Sequence, residues 1–487
     1  MKELIVLTFA VPLLMAFLLP TISRVSFTLS KLIAPLVLLA LAIMVVCIWN
    51  FHTETFVLHI GNFIGPQGIV FYVDRLALLF AFAIFAMTLL MWPWYFEKDE
   101  SSDTRTRKLS LTLLLVAASA GMSLSGDIFN LYVFYELLAV ASYGLIAAGN
   151  KKPAGNSYAA AFRYLMISAL GSVFALLGIA LIYFQTGTLN LAHLSEMKEL
   201  LNNPAGLIAF VFILLGFGVK AELFPVNSWV PEAYMASSKR VAGLLAGLVS
   251  KLAVLVIIKA LVLIYPQDEA RQLLLFLGIA GVIVGEFSAM KAQDMTRMLS
   301  WSSIAQLGLV FIAFSIPGKA GMLAGLAVAL HHLISKPAMF LIAERWGGSL
   351  QNLKGRAQSS PIMAALLILF ALSMVGIPPL PGFWVKFLLL SGLSAQQAWL
   401  AIAVVLIMTV VETNYLYRVI SSLYSRDEQQ SVTSRHRTAD TFSALILAGV
   451  LIFVSVQVQT VGQALDEIAQ DAVDVKSYID LSLGGGS

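Results

Sequence analysis

Long apolar runs, separated by short polar stretches, occupy the chain from near its start to about residue 460. A membrane-spanning helix needs about 20 mostly apolar residues. The polar stretches between the runs are too short to hold a soluble domain, so the pattern predicts an all-α polytopic membrane protein. Counted at that length, about fourteen spans are expected near residues 4–21, 30–50, 72–95, 109–126, 128–148, 159–184, 205–223, 240–264, 272–290, 297–315, 319–343, 361–379, 397–421 and 440–460.

Proline interrupts two of these runs. Pro225 follows the seventh, and the sequence PPLP at 378–381 follows the twelfth. A short apolar segment comes after each break, at 227–236 and 382–394. Broken helices at membrane depth are tolerated where the freed backbone lines a cavity or contacts other protein. Each break therefore predicts a helix in two halves with such a cavity or contact between them.

The two breaks lie five spans apart, which predicts an internal repeat. Helices 4–8 (109–264) form one copy and helices 9–13 (272–421) the other. An odd number of helices per copy reverses its direction in the membrane, as in inverted-repeat transporters. Helices 1–3 (1–95) precede the repeats and helix 14 (440–460) follows them. The tail 483–487, LGGGS, is typical of a linker scar.

Composition agrees with the apolar pattern. Hydrophobic residues make up 59% of the 487 positions and charged residues 12%, where a soluble domain carries about 25% charged residues; the mean hydropathy is +0.87. The single cysteine, Cys47, excludes an internal disulfide and a cysteine-held metal cluster. Dinucleotide, phosphate-loop, haem and redox motifs are also missing, so neither a cofactor nor a metal is expected.

Basic residues alternate between the loops, which predicts the topology through the positive-inside rule. Both termini are expected on the non-cytoplasmic side of the cell's inner (plasma) membrane. The basic residues lie in short loops between apolar runs, so no nucleic-acid partner is expected. The cytoplasmic set is Arg24, Lys31, Lys98, Arg105, Arg107, Lys108, Lys151, Lys152, Arg163, Lys239, Arg240, Lys291, Arg297, Arg345, Lys354, Arg356, Arg418, Arg426, Arg435 and Arg437. The opposite set is Arg75, Lys198, Arg271 and Lys319, with Lys2 and Lys476 at the termini.

Ionisable residues inside the predicted spans are the candidates for chemistry, because charge at membrane depth is costly and usually functional. In the first half these are Glu136, Lys220 beside the first break, and Lys251 on the next helix. A buried lysine gives up its proton more readily than an exposed one, and a nearby carboxylate opposes that. The alternative is a static salt bridge that holds helices together.

In the second half the candidates are His332 and Lys336, four residues apart on one helical face, and Lys386 after the second break. A histidine beside a lysine is suited to proton relay; a metal pair lacks further ligands. One of His331 and His332 is expected to be only packed or hydrogen-bonded. Open positions are Lys259 (relay or anchor), Glu286 and Glu412 (partner or lateral contact) and Glu222, which is expected to be wet beside the break.

Several motifs together give the chain a family resemblance. They are GDIFNLYVFYELLAVASYGL, VKAELFPVNSWVPEA, the Lys251 helix, HHLISK and GIPPLPGFWVKF. Over about residues 70–420 the chain resembles the antiporter-like proton-translocating subunits of respiratory complex I and of multisubunit Mrp-type Na⁺/H⁺ antiporters. Asn227 departs from the family's P-x-H-x-W histidine, and Glu222 stands where a small residue is usual.

The resemblance implies fourteen helices, two inverted repeats and a buried axis of Glu, Lys and His. It implies that Glu136 and Lys220 interact, that Lys251 connects, that His332 and Lys336 relay and that Lys386 ends the path. Lysine at 386 and the chain length favour the D-type component of Mrp antiporters, and a Glu at 386 is expected to be partly tolerated.

The function implied is proton movement within a hetero-oligomeric cation (Na⁺)/H⁺ antiporter in the lipid bilayer, beside other membrane subunits. This predicts a secondary antiporter subunit rather than an enzyme. The alternative is the same proton module in a complex I-like quinone oxidoreductase or a membrane-bound hydrogenase. A stand-alone solute transporter and a non-transporting scaffold fit the string of buried ionisable residues less well.

Overall fold

A computed structural model of the chain describes residues 2–52, 54–63, 65–96, 100–149, 155–346, 348–425 and 438–484. The loop charges Lys98, Lys151, Lys152, Arg426, Arg435 and Arg437, and residues 485–487 of the predicted scar, lie outside these ranges.

Helices make up nearly all of the described chain. The first half contains α1 (Leu7–Val25), α2 (Phe27–Phe51), β1 (Phe56–His59), β2 (Val70–Val73), α3 (Arg75–Leu90), α4 (Ser102–Leu124), α5 (Ile128–Ala147), α6 (Gly155–Thr186), α7 (Leu191–Glu196), α8 (Pro204–Gly218), α9 (Val230–Ala236), α10 (Lys239–Leu244) and α11 (Ser250–Leu263). The second half contains α12 (Asp268–Lys291), α13 (Met295–Ser315), α14 (Gly318–Arg345), α15 (Arg356–Ser359), α16 (Pro361–Val375), α17 (Pro381–Ala395), α18 (Trp399–Tyr424), α19 (Thr438–Val456), α20 (Val458–Val473) and α21 (Val475–Leu483).

The described residues contain eleven helices long and apolar enough to cross a membrane. The shorter apolar helices α3, α8, α16 and α17 add to these. Because α16 and α17 are the two halves of one broken helix, the number of spans agrees with the fourteen predicted from the sequence. The predicted class, an all-α polytopic membrane protein, is confirmed.

Both helix breaks occur where proline predicts them. The first break separates α8 from α9 and includes Pro225, and Pro231 lies in the first turn of α9. At the second, α16 ends at Val375 because Gly376 adopts a left-handed conformation with φ of 92°, and α17 starts at Pro381. A π-helical turn, Leu245–Val249, separates α10 from α11 and was not predicted.

The helices pack into two compact units. The first comprises residues 1–221, 248–270 and 470–487, and the second residues 222–247 and 271–469. In the first unit α1 packs along α4 and α6 along α8; in the second, α13 packs along α14, which also contacts α16, α17 and α19. The division into two five-helix repeats stays a prediction.

A small cap in the first unit was not predicted. Strands β1 and β2 form an antiparallel hairpin in which Phe56 lies opposite Val73. Helix α21 covers it through Tyr478, whose ring centroid lies 4.2 Å from that of Tyr72. Burial raises the pKa of the Tyr478 hydroxyl well above its ordinary value, and nearby Tyr72 and Asp74 add to the effect.

Candidate functional site

Lys220 lies two residues after the end of α8, where the first helix break begins. Its side chain is buried, with 1% of the residue exposed. Nζ donates a hydrogen bond to Ser168 Oγ of α6 at 3.2 Å and lies 3.2 Å from the ring centroid of Tyr135 of α5. The ring face of an aromatic residue attracts a cation, so this site accommodates the ammonium without a direct ion pair.

Glu136 joins the same cluster from α5. It is half-buried, and its Oε1 accepts a hydrogen bond from Ser172 Oγ. Ser168 and Ser172 are one turn apart on α6, so one helical face contacts both the lysine and the carboxylate. Glu136 interacts electrostatically with Lys220.

Close packing of α8 on α6 brings Ser168 to Lys220. A Cβ added to Gly216 of α8 would come within 2.5 Å of the Ala175 backbone nitrogen on α6. Only glycine permits this approach. Gly216 also uses its carbonyl oxygen to accept a hydrogen bond from the Tyr135 hydroxyl at 2.6 Å, which fixes the ring under the ammonium group.

Two further lysines lie on α11 in the first unit. Lys251 is 1% exposed and donates a hydrogen bond to Ser250 Oγ at 3.1 Å. Lys259 donates to the carbonyl oxygen of Ser125 at 2.9 Å and interacts electrostatically with Asp74. Lys259 therefore points to the loop between α4 and α5, and Asp74 is a neighbour that the sequence pattern did not single out.

Lys336 is the centre of a larger cluster in the second unit. It is buried on α14, and its Nζ donates to Ser302 Oγ of α13 at 2.6 Å. The Tyr415 hydroxyl of α18 donates to the same oxygen at 2.8 Å. Lys336 interacts electrostatically with the three carboxylates of Glu412, Glu286 and Glu222.

Lys386 forms a direct ion pair in this cluster. Its Nζ lies 2.8 Å from Glu412 Oε2, and the two side chains are 13% and 2% exposed. It also donates to the carbonyl oxygen of Val375 at 3.0 Å, at the end of α16. Gln306 donates to the other carboxylate oxygen of Glu412 at 2.9 Å. Glu412, left open by the sequence, is therefore the ion-pair partner of Lys386.

The two histidines point to different helices. His332 Nε2 lies 3.2 Å from Ser303 Oγ of α13. His331 Nε2 lies 2.8 Å from Ser373 Oγ near the end of α16, and it interacts electrostatically with both Lys386 and Lys336. His331, which the sequence did not single out, therefore interacts with both lysines of this cluster.

Glu222 is buried, with 1% exposed, where the sequence led us to expect a wet side chain. Its Oε1 accepts a hydrogen bond from the Tyr234 hydroxyl at 2.6 Å. Asn227, at the position of the family histidine, donates its amide to the Glu222 carbonyl oxygen at 3.3 Å. This contact braces the break at a residue with an unusual backbone, because Glu222 has a positive φ of 57°.

A comparison with known families shows to which family the chain belongs. Residues 125–412 match the transmembrane family described as NADH:quinone oxidoreductase/Mrp antiporter. The chain belongs to this family. The matched range contains every charged residue of both clusters, from Glu136 to Glu412, and the resemblance predicted from the motifs is confirmed.

Relatives from both branches of the family are similar to the chain. The N subunit of the NADH-quinone oxidoreductase of Desulforudis audaxviator strain MP104C is 33% identical over 314 residues, which are 62% of each chain. The D subunit of the Na(+)/H(+) antiporter of Bacillus subtilis strain 168 is 26% identical over 437 residues, which are 88% of each chain.

Chains of solved membrane complexes are also similar to this chain. A chain of the archaeal membrane-bound sulfane sulfur reductase, a respiratory membrane complex, has a TM-score of 0.90 and 28% identity, and the match covers 99% of this chain and 100% of that one. A chain of the Mrp complex from Dietzia sp. DQ12-45-1b has a TM-score of 0.86 and 23% identity, with 99% of both chains covered. The second likeness shows a shared fold.

Proposed function

We propose that this chain is a proton-translocating membrane subunit of a multisubunit Na⁺/H⁺ antiporter and not itself an enzyme. The observation that carries the proposal is the pair of buried clusters, one in each unit, in which a lysine touches a serine hydroxyl within electrostatic range of a carboxylate. Such charges are costly in a membrane and are retained where they carry protons or ions.

In the first unit, Glu136 and Lys220 exchange a proton through the α6 serines. A hydroxyl both donates and accepts, so Ser168 on Lys220 and Ser172 on Glu136 fix the proton on neither group. Lys251, buried farther along the chain in the same unit, is the next carrier. The half-buried side chain of Glu136 gives this cluster its access to the chain's surface.

In the second unit, Lys336 is the central carrier and Lys386 the terminal one. Ser302 contacts Lys336, Tyr415 contacts the same serine, and Glu412 holds Lys386. His331 serves as the intermediate group, because it lies within electrostatic range of both lysines. His332 contacts Ser303 of α13. There it orients α14 against α13 or assists proton transfer.

We propose further that the chain resides in the cell's plasma membrane with both termini outside the cytoplasm, beside other membrane subunits. The positive-inside distribution of the loop charges supports this orientation. The name of the Bacillus relative, a component of a Na(+)/H(+) antiporter, supports the antiporter assignment.

A second candidate is the same proton module in a redox-driven complex. The likeness to a chain of the sulfane sulfur reductase and the 33% identity to a component of a quinone oxidoreductase favour it. Redox chemistry would then belong to other chains, and the two clusters would keep the same role.

The test removes one titratable group at a time from the first cluster. Glu136→Gln and Lys220→Met keep the side-chain size while they remove the proton carrier. We expect each to lower Na⁺-dependent proton flux in everted vesicles by about 100-fold, within the range for loss of a positioned acid–base group. Co-purification of the partner subunits checks that assembly is unchanged.

Glu199→Gln and Lys198→Met are matched controls in the same unit, at the turn before α8. They make the same chemical changes away from the cluster and should leave the flux unchanged. Normal flux in Glu136→Gln or Lys220→Met would exclude the relay.

A further inference from the structure

A cavity of about 570 Å³ lies in the second unit, where α14 ends and α16 and α19 begin. This volume falls within the roughly 300–1,000 Å³ typical of ligand sites. No step of the proposed proton path uses it. Its lining comprises Arg345, Ser359, Ser360, Pro361, Ile362, Met363, Thr438, Thr441, Phe442 and Leu445.

One end of the cavity offers hydrogen-bond donors at the start of α16. Ser360 is the N-cap residue, but its side chain makes no capping hydrogen bond. It is 6% exposed, and its hydroxyl has no hydrogen-bond partner among the described residues. The first N–H groups of a helix have no partner within the helix and favour an anion. The hydroxyl and the helix start therefore both suit a negative oxygen.

Arginine supplies positive charge at the same end. Arg345 Nη1 donates to Thr441 Oγ1 at 2.8 Å across the cavity, and Arg356 lies within electrostatic range. The carboxylate that attracts Arg345 is Asp440, and Arg240 already forms a salt bridge with it. Arg345 therefore brings a guanidinium group to the lining of this cavity, with Arg356 nearby.

Part of the lining is apolar and exposed at the surface of the chain. Ile362, Phe442 and Leu445 are 59%, 64% and 46% exposed. They lie near the starts of the apolar helices α16 and α19. A ligand that fits both the polar and the apolar part of the lining has an anionic head and a hydrocarbon tail.

We propose that this cavity binds an anionic phospholipid. Arg345, the Ser360 hydroxyl and the first N–H groups of α16 hold the headgroup phosphate, and an acyl chain lies along Ile362, Phe442 and Leu445. Basic pockets between spanning helices on the cytoplasmic side suit anionic headgroups. The proposal is independent of the coupled ion and of the proton path.

The test measures lipid retention by native mass spectrometry on the full-length chain released from detergent. Phosphatidylglycerol, phosphatidylcholine and inorganic phosphate are added separately. Arg345→Gln removes the charge but keeps a donor for Thr441, Ser360→Ala removes the free hydroxyl, and Leu445→Trp fills the apolar part. Arg24→Gln, at an arginine of the first unit, and Ile446→Trp, beside the cavity but outside its lining, are matched controls.

We expect one phosphatidylglycerol to be retained in preference to phosphatidylcholine. Arg345→Gln should weaken retention about tenfold, the size expected for one charge-assisted hydrogen bond. Ser360→Ala should weaken it less, Leu445→Trp should abolish it, and both controls should bind normally. Equal retention of the two lipids, binding of inorganic phosphate in place of lipid, or equal losses in variants and controls would each overturn the proposal.

Discussion

Serine hydroxyls are the shared chemical feature of the two clusters. Lysine can only donate hydrogen bonds and a carboxylate can only accept them, whereas a hydroxyl does both. Ser168 and Ser302 each accept from a buried lysine. Each lysine therefore donates to a neutral hydroxyl, with its carboxylates in electrostatic range. A proton can then move without a tight ion pair first having to break.

Lys386 differs, because it forms a direct ion pair with Glu412. This pair changes the expectation that glutamate is partly tolerated at position 386. A glutamate there would face Glu412, with Glu286 also in the cluster. Loss of one partner of a buried pair costs about 3–5 kcal/mol, so Lys386→Glu should lower both thermal stability and proton flux severely.

The charge swap Lys386→Glu with Glu412→Lys is the matched rescue. It restores opposite charges at the same two positions and should recover part of the stability and of the flux. Melting temperature in detergent and flux in everted vesicles report the two quantities. High flux in the single variant Lys386→Glu would show that the ion pair is dispensable.

At the scale of elements, the second break positions Lys386 by bringing α17 back against the end of α16. Gly382 permits this contact: a Cβ there would lie 1.7 Å from the Ser373 carbonyl oxygen. Ser373 also contacts His331. The geometry of the break and the His331 contact therefore both depend on the close approach of Gly382 to the backbone of Ser373.

Gly382→Ala should force α17 away from α16 and destabilise the second unit by about 1–3 kcal/mol or more, as overpacking does. Gly449→Ala on α19 is the matched control, since an added Cβ there meets no atom within 4 Å. Alanine in a helix interior is favoured over glycine by about 1 kcal/mol, so this control should be neutral or stabilising. Thermal unfolding compares the two, and equal melting temperatures would mean that the break tolerates the added methyl group.

The helix breaks were predictable because proline acts locally: it removes an N–H wherever it stands. The β1–β2 hairpin and helices α20 and α21 were not, since they are short or amphipathic and lack a long apolar run. The first and second halves show the same order, three long helices, a broken helix and another long helix. This order supports the predicted repeats 109–264 and 272–421.

At the scale of the whole molecule, the sequence predicted which charges are buried better than it predicted their partners. Lys220, Lys251 and Lys336 are buried as expected. Their hydroxyl contacts were not predictable because serine is common in helices and carries no charge. The contacts of Glu412 and His331 were not predicted, since the pairing of a side chain depends on packing between helices distant in sequence.

The two candidate functions differ in the source of energy for proton movement and in what the partner chains contain. A quinone oxidoreductase or reductase needs redox cofactors, whereas a cation/proton antiporter uses ion gradients alone. The two clusters are compatible with either source of energy, because each candidate function requires only that the clusters take up and release protons. The partners therefore decide the function.

Mass spectrometry of the complex purified from its native membrane in mild detergent should reveal small hydrophobic subunits, and everted vesicles should show proton flux driven by Na⁺. The Glu136→Gln variant is the control, because it should keep the partners and lose the flux. Partner chains with flavin, iron–sulfur clusters or nickel, together with flux that needs an electron donor, would assign the same clusters to a redox-driven pump. Recovery of the chain without partners, with solute-dependent transport, would contradict both assignments.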